Sequence, residues 1–288
     1  MRISVVVPFH NVERYIENCI RALLSQHYPQ DCYEIILVDN DSTDGTAAIV
    51  RRYPRVRLLS EPKAGAYAAR NRGVAESGGE IIAFTDSDCS PQEDWLQKID
   101  EAMVDPVVAI VQGRRRFACE SLGLSILSDY EAEKAAYAFS ARTEEIYYGY
   151  TNNMAVRRGV FDRTGPFLEL DRGADVILVH RVIAEYSCNA VRYSPDLCVR
   201  HLEVTSIWQW FRKMRIYGQS FRGYSKLVPS RPLGSRERLQ VLRATIRRGG
   251  YSAAKSLLSI VLLSAGALYY ELGRRWPTRN VVRSPRRR

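Results

Sequence analysis

The sequence predicts an α/β fold: a mostly parallel central sheet flanked by helices, followed by a helical, membrane-associated extension. Three observations point there. Short, continuously apolar, β-branched runs alternate with helix-periodic segments over the first hundred residues. Polar turns follow those runs at closely spaced intervals, and basic charge beside a long apolar stretch is confined to the last third. Strand–helix alternation with short loops implies parallel strands covered on both faces.

Residues 3–7 (ISVVV) read as a buried strand stopped by Pro8. Over residues 13–27, Ile16, Ile20, Leu23 and Leu24 fall at helical spacing, with Asn11 as N-cap. Residues 35–38 are a second strand, and the polar turn 39–46 (DNDSTDGT) feeds a helix over 47–53. A strand at 56–59 precedes a helix at 64–77 closed by Gly78 and Gly79. A fourth strand, 81–84, runs into Thr85-Asp86-Ser87-Asp88, and Pro91 suits the first turn of a helix reaching Met103. Ligands of such sheets bind beyond the carboxyl ends of the strands, so residues 8–11, 39–44 and 86–88 are expected on one edge.

The 288 residues are 46% hydrophobic and 26% charged, which excludes a disordered chain, a collagen-like repeat and a disulfide scaffold. Six cysteines form no CxxC pair, and nothing resembling a signal peptide precedes Ile3, so a reducing, cytoplasmic setting is expected. The net charge of +10 is unevenly spread: beyond residue 204, Glu237 and Glu271 alone oppose the many Lys and Arg side chains. Such a region suits an anionic membrane surface or a nucleic acid.

Two D-x-D triplets stand on the expected edge, Asp39-Asn40-Asp41 and Asp86-Ser87-Asp88. Acids of this kind cap helices and shape turns. Clustered at a strand end they also repel one another unless a cation lies between them, and a hard divalent ion carrying a diphosphate supplies that charge. No G-x-G-x-x-G follows the first strand and no G-x-x-x-x-G-K-[ST] occurs, which excludes a Rossmann dehydrogenase and a P-loop enzyme.

VVVPFHNVERYIENCIRALLSQ, EIILVDNDSTDGT, KAGAYAARNRGVAESGGEIIAFTDSD and TNNMAVRRGVFDRTGPFLE together resemble the family-2 glycosyltransferases, nucleotide-sugar enzymes of the GT-A fold, over about residues 1–220. The resemblance implies a nucleotide-binding half (about 1–112), an acceptor half (about 113–220) and an extension at 221–288. It implies that Pro8, Phe9 and Asn11 hold base and ribose, that Asp39 bonds the base (usually uracil), and that Lys63, Arg70 and Ser87 lie near the nucleotide. Asp86 and Asp88 match the metal-binding pair, with His201 a third ligand for Mg2+ or Mn2+. Asn152 and Asn153 match the strand beside the donor sugar. Asp175 matches one acid of a G-E-D-x-E-L pattern whose other acids are replaced here by Ala174 and Ile177; it reads as the catalytic base or as a helix N-cap. The expected reaction is inverting transfer from a nucleotide-diphospho-sugar, UDP-linked by preference, to a hydroxyl of a glycan or lipid-linked acceptor. Alternatives are transfer to a polyprenyl phosphate, which needs no base, or an inert binding module that keeps the fold.

Residues 114–150, with Arg114–Arg116 at their start, read as solvated helix faces without chemistry. In residues 207–217, Trp208, Trp210, Phe211 and Tyr217 interleave with Arg212, Lys213 and Arg215, as in an interfacial helix or a nucleic-acid stacking surface. Residues 251–270 carry one charge, Lys255. At about 1.5 Å per residue such a helix covers roughly 30 Å, the thickness of a bilayer core. With the Arg-rich tail behind it, this favours a membrane partner over nucleic acid and places the protein on the cytoplasmic face of the cell membrane, on the surface or by a single C-terminal span. A buried core helix is the alternative.

Overall fold

The computed structural model describes residues 1–118 and 121–276. Eight strands form one sheet: β1 (Ile3–Phe9), β2 (Tyr33–Asp39), β3 (Val56–Ser60), β4 (Ile81–Thr85), β5 (Cys89–Pro91), β6 (Ile110–Phe117), β7 (Asn153–Arg157) and β8 (Val191–His201). Their order is β3-β2-β1-β4-β7-β6-β8-β5. The first four run parallel, β7 is antiparallel to β4 and β6, β6 and β8 are parallel, and β5 returns antiparallel to β8.

The alternation along β1 explains both layers. Ile3, Val5 and Val7 face α1 (Ile16–Leu24), α2 (Thr46–Val50) and α4 (Trp95–Ala102), with Ile16, Ile20, Leu23, Trp95 and Ile99 buried against them. Val6 faces the other side with Ile36, Val38, Ile82 and Phe84, beneath α3 (Ala66–Glu76), α6 (Arg158–Thr164) and α7 (Ala174–Glu185). Ser4 is the exception on that strand; its hydroxyl donates to Glu34 Oε1 at 2.6 Å and accepts from the Gly79 amide at 2.8 Å.

Four local expectations are corrected. Asn11 is not a helix cap: α1 begins at Ile16, and Asn11, at φ 51°, accepts the Thr43 amide at 2.8 Å to tie two loops together. Gly78 and Gly79 do not close α3 with a left-handed residue; Gly79 is needed because a Cβ there would collide with Ser4. Pro91 ends a short strand, and the helix starts four residues later. Arg114, Arg115 and Arg116 lie on β6, not on a helix surface, and the helix of that region is α5 (Leu122–Ser140).

Along β6 and β8 the register changes at Gly113/Arg114: Gly113 opposes Ser194, while Arg114 opposes Cys198. The excursion of β8 between them is anchored by Asn153, whose Nδ2 donates to the carbonyls of Leu197 (2.9 Å) and Arg114 (2.8 Å), and by Gly113, where a side chain would strike the Leu197 carbonyl.

The C-terminal part is α8 (Ile207–Tyr224), α9 (Ser235–Arg248) and α10 (Ala253–Arg275). The expected boundary at residue 220 falls inside α8. α8 and α10 pack against each other with α5: Trp210, Phe211 and Leu262 are buried with Leu124 and Leu127, and Phe211 stacks on Tyr269 at 5.0 Å. Gly218 and Gly273 let the two backbones touch; a Cβ on either would run into a carbonyl of the other helix. α10 is long and apolar enough to cross or lie on a membrane, with mean hydropathy 1.4 over its most apolar 18-residue window and 22% of that window buried. Leu257, Ile260, Val261 and Leu268 are exposed on it, so it is not an enclosed core helix. Arg274 and Arg275 form its last turn; the rest of the basic tail lies outside the described residues. Cys19, Cys32, Cys89, Cys188 and Cys198 are free thiols, and Cys119 lies outside the described residues.

Candidate active site

The carboxyl ends of β1, β2 and β4 open into a cavity of about 1530 Å³. Pro8, Phe9, Asn11, Asn40, Asp41, Arg70, Asp86, Ser87 and Asp88 line one side, and Asn152, Asp175, His201 and Lys213 also line it. Segments far apart in sequence therefore meet because parallel strands end on the same edge.

Asp86 is held by Arg70, a buried side chain from α3, whose Nη2 donates to Oδ1 at 2.6 Å. Asp88 has a different environment. Burial, and then the neighbouring Asp86 charge, push its carboxyl up to about 6. His201 Nε2 stands 3.6 Å from Asp88 Oδ2 because β5 pairs Cys89 opposite His201. Burial, reinforced by Lys213, lowers His201 to about 4, so the imidazole is neutral at ordinary pH and has a lone pair to offer. Lys213 Nζ lies 3.0 Å from His201 Nε2 and 2.9 Å from Glu203 Oε2. The ammonium stands against the imidazole and Glu203, so an ion taking Nε2 as a ligand would displace it from that nitrogen.

The corner fits a hard divalent ion. Asp88, Cys89 and His201 are close enough to share one ion. Burial holds the Cys89 thiol well above its ordinary range, which leaves it protonated and poorly matched to a hard cation. Asp88 and His201, with Asp86 beside them, are the residues that would hold the ion.

Asp175 sits within the first turn of α7, with Gly173 at the N-cap position, so it is not the cap. Its Oδ1 accepts the Val176 amide at 2.9 Å, and Gly149 packs directly against its backbone. Burial raises its carboxyl despite bonding to Tyr67 and the charge of Arg70. Asp175 thus brings a buried carboxyl with a raised affinity for protons to the cavity lining.

Other expected residues take different places. Asn153 is buried and bonded to Trp95 Nε1 (2.9 Å) and two carbonyls, a structural role, while Asn152 faces the cavity with its Oδ1 unpartnered. Asp39 accepts the Ser42 amide at 2.9 Å and shapes the turn that presents Asn40 and Asp41. Lys63 pairs with Glu169 outside the cavity lining. The residues that sequence reasoning missed are Arg115, Glu131 and Lys134. Arg115 lies over the Tyr150 ring at 4.1 Å and 3.6 Å from Glu131, which Lys134 contacts at 3.0 Å. The Arg114–Arg116 run is their only sequence signal.

Residues 4–184 match the family description "Glycosyl transferase family 2". The chain is a family-2 glycosyltransferase. Its fold is the GT-A fold that the motifs implied. Glycosyltransferase AglE of Haloferax volcanii is 34% identical over 182 residues, covering 60% of this chain and 59% of AglE. The putative teichuronic acid biosynthesis glycosyltransferase TuaG of Bacillus subtilis is 35% identical over 108 residues, 36% of this chain and 42% of TuaG. This glycosyltransferase therefore spans less than two thirds of either relative's length. Among solved structures, mannosyltransferase PcManGT from Pyrobaculum calidifontis, in complex with GDP-Man and Mn2+, superposes with TM-score 0.67 at 21% identity, covering 96% of this chain and 87% of that one. Staphylococcus aureus TarS 1–349 in complex with UDP-GlcNAc gives 0.54 at 17% identity, covering 94% and 82%. At these identities the likeness is one of fold.

Proposed function

We propose that this glycosyltransferase is a metal-dependent, inverting hexosyltransferase that moves a sugar from a nucleotide-diphospho-sugar to an acceptor hydroxyl in glycan or glycolipid synthesis at a membrane surface. The observation that carries the reading is one cavity lined by Asp86, Asp88 and His201 and also by Asp175, whose carboxyl burial pushes up. A bound Mg2+ or Mn2+ would neutralise the diphosphate leaving group. Arg70 fixes Asp86, Pro8 and Phe9 line the nucleotide end, and Asn152 offers an unpaired amide oxygen. Asp175 would take the acceptor proton at a carboxylate oxygen while the acceptor oxygen attacks the anomeric carbon from the face opposite the leaving group. UDP-sugars are the first donors to test, since the sequence around Asp39 resembles the family's base-bonding motif, and the Asp39 carboxylate, which accepts the Ser42 amide, shapes the turn beside the cavity. Binding of GDP-Man by PcManGT and of UDP-GlcNAc by TarS supports a nucleotide-sugar donor without choosing the base.

Calorimetric titration with UDP and GDP, each with manganese or with chelator, tests the reading. Tighter binding with manganese and hydrolysis of the matching nucleotide sugar are expected. Equal affinity with and without metal would overturn the metal assignment.

A further inference from the structure

The acidic corner also holds a thiol for which the proposed transfer has no use. Cys89 is fully buried on β5, and a buried cysteine is ordinarily a small, inert core residue. Cys19 fits that description, its sulfur resting against the Asp86 carbonyl at 3.7 Å. Cys89 does not. Its Sγ faces Asp88 Oδ1 at 3.6 Å, and Asp88 Oδ2 is 3.6 Å from His201 Nε2. Ligand atoms of the three residues all lie within 4.8 Å of one another, and among the described residues no other such group of His, Cys, Asp and Glu side chains comes together.

The spacing is close to that of a zinc site. Zn–S near 2.3 Å and Zn–O or Zn–N near 2.0 Å at tetrahedral angles put sulfur about 3.5 Å from oxygen and oxygen about 3.3 Å from nitrogen. The backbone fixes the three residues in advance. β5 sets Cys89 directly against His201 on β8, the Asp86 carbonyl accepts the Cys89 amide at 3.0 Å, and the Asp88 carbonyl accepts the Leu202 amide at 2.8 Å. A sulfur, an imidazole and a carboxylate are a donor set that zinc takes readily, with a fourth position left open. Magnesium and manganese prefer oxygen and gain little from the sulfur.

We propose that Cys89, Asp88 and His201 form an inhibitory site for a thiophilic divalent cation, Zn2+ foremost, which shuts out the hard ion of the transfer reaction. The two ions need Asp88 and His201 in common, so they exclude each other. As the Zn–S bond forms, the S–H bond breaks and its proton leaves to solvent through the cavity that Asp88 and His201 line. The two positive charges are then met by a thiolate and a carboxylate. Lys213 gives up His201 Nε2 and keeps Glu203, its partner at 2.9 Å. The inference rests on the proposed hard-ion reading only for what zinc displaces.

The test uses the full chain in a non-chelating reductant, titrated with Co2+ as a coloured stand-in for Zn2+, then with Zn2+ in competition, and separately with Mn2+ plus UDP or GDP. Co2+ is expected to give a thiolate charge-transfer band in the near ultraviolet, and Zn2+ to erase it. Zn2+ should bind at least about a hundredfold more tightly than Mn2+. Cys89→Ser should remove the band and weaken Zn2+ about a hundredfold, while Mn2+-dependent nucleotide binding stays within about threefold of the parent. Cys89→Ala replaces Cys89→Ser if that variant is misfolded by circular dichroism, and Cys19→Ala, which removes another buried sulfur, should keep the band. No band in the unmutated protein, a band that survives loss of the Cys89 sulfur, or Zn2+ bound no more tightly than Mn2+ would overturn the inference. A band that depends on Cys89, with nucleotide binding indifferent to Mn2+, would instead overturn the hard-ion reading alone.

Discussion

Asp88→Asn is expected to stabilise the metal-free protein and to abolish its response to metal. The Asp88 carboxyl rises from an ordinary 3.8 to about 6 in the folded state, through burial and then the charge of Asp86. A folded pKa above the unfolded one means that the folded state holds the proton more tightly. Stability is then full below about pH 4, declines as pH rises, and is at its reduced level above about 6. A shift of about two units corresponds to about 3 kcal/mol, which is the ceiling on what Asn can restore at pH 8. Near pH 4 the folded carboxyl is protonated and the unfolded one only about half ionised, so the difference should shrink to well under 1 kcal/mol. Urea unfolding in the presence of chelator at the two pH values measures the difference. Adding manganese and nucleoside diphosphate should reverse the order at about a thousand times the Kd, where ligand adds about 4.1 kcal/mol to the protein that binds it. A variant no more stable than the parent at pH 8, or equally stabilised at both pH values, would refute the reasoning.

Asp175→Asn should keep nucleotide affinity while lowering turnover about 10²–10⁴-fold, read by steady-state kinetics with a working donor and acceptor. Near-normal turnover would remove Asp175 from the mechanism and favour a phosphate oxygen as nucleophile. Asn153→Ala should cost about 2–4 kcal/mol in urea unfolding by stranding the Trp95 indole and two carbonyls. Two glycines of α8 should respond oppositely in thermal unfolding: Gly218→Ala destabilises by driving a Cβ into the Tyr270 carbonyl, whereas Gly223→Ala, with open space around it, gains about 0.5–1 kcal/mol in helix preference.

The four parallel strands were legible because runs such as ISVVV and IILV are apolar at every position, the mark of a strand covered on both faces. The convergence of Pro8, Asp86 and Asp88 followed from topology, since parallel strands present their carboxyl ends together. β5 was illegible: three residues, with a proline that also suits a helix start, carry no periodic signal. β6 was misread because its charges look solvated in one dimension. Their partners, Asp129 for Arg114 and Glu131 with Tyr150 for Arg115, come from other elements. Lys213 stood in the aromatic–basic segment already singled out, but only the fold of α8 against β8 sets it beside His201.

The excursion of β8 also bears on how this family should be aligned. Gly113 and Phe117 are four residues apart, whereas their partners Ser194 and His201 are seven apart. Four is even and seven is odd. In an uninterrupted strand, residues an odd number apart point to opposite sides, so counting back from His201 assigns the wrong side to everything before Ser194. The three surplus residues restore the parity, and the pairing resumes as though they were absent. Strand length and the placement of His201 are thereby decoupled. A relative lacking the surplus would set its histidine against the same partner, and a comparison by fixed spacing would miss it by three positions.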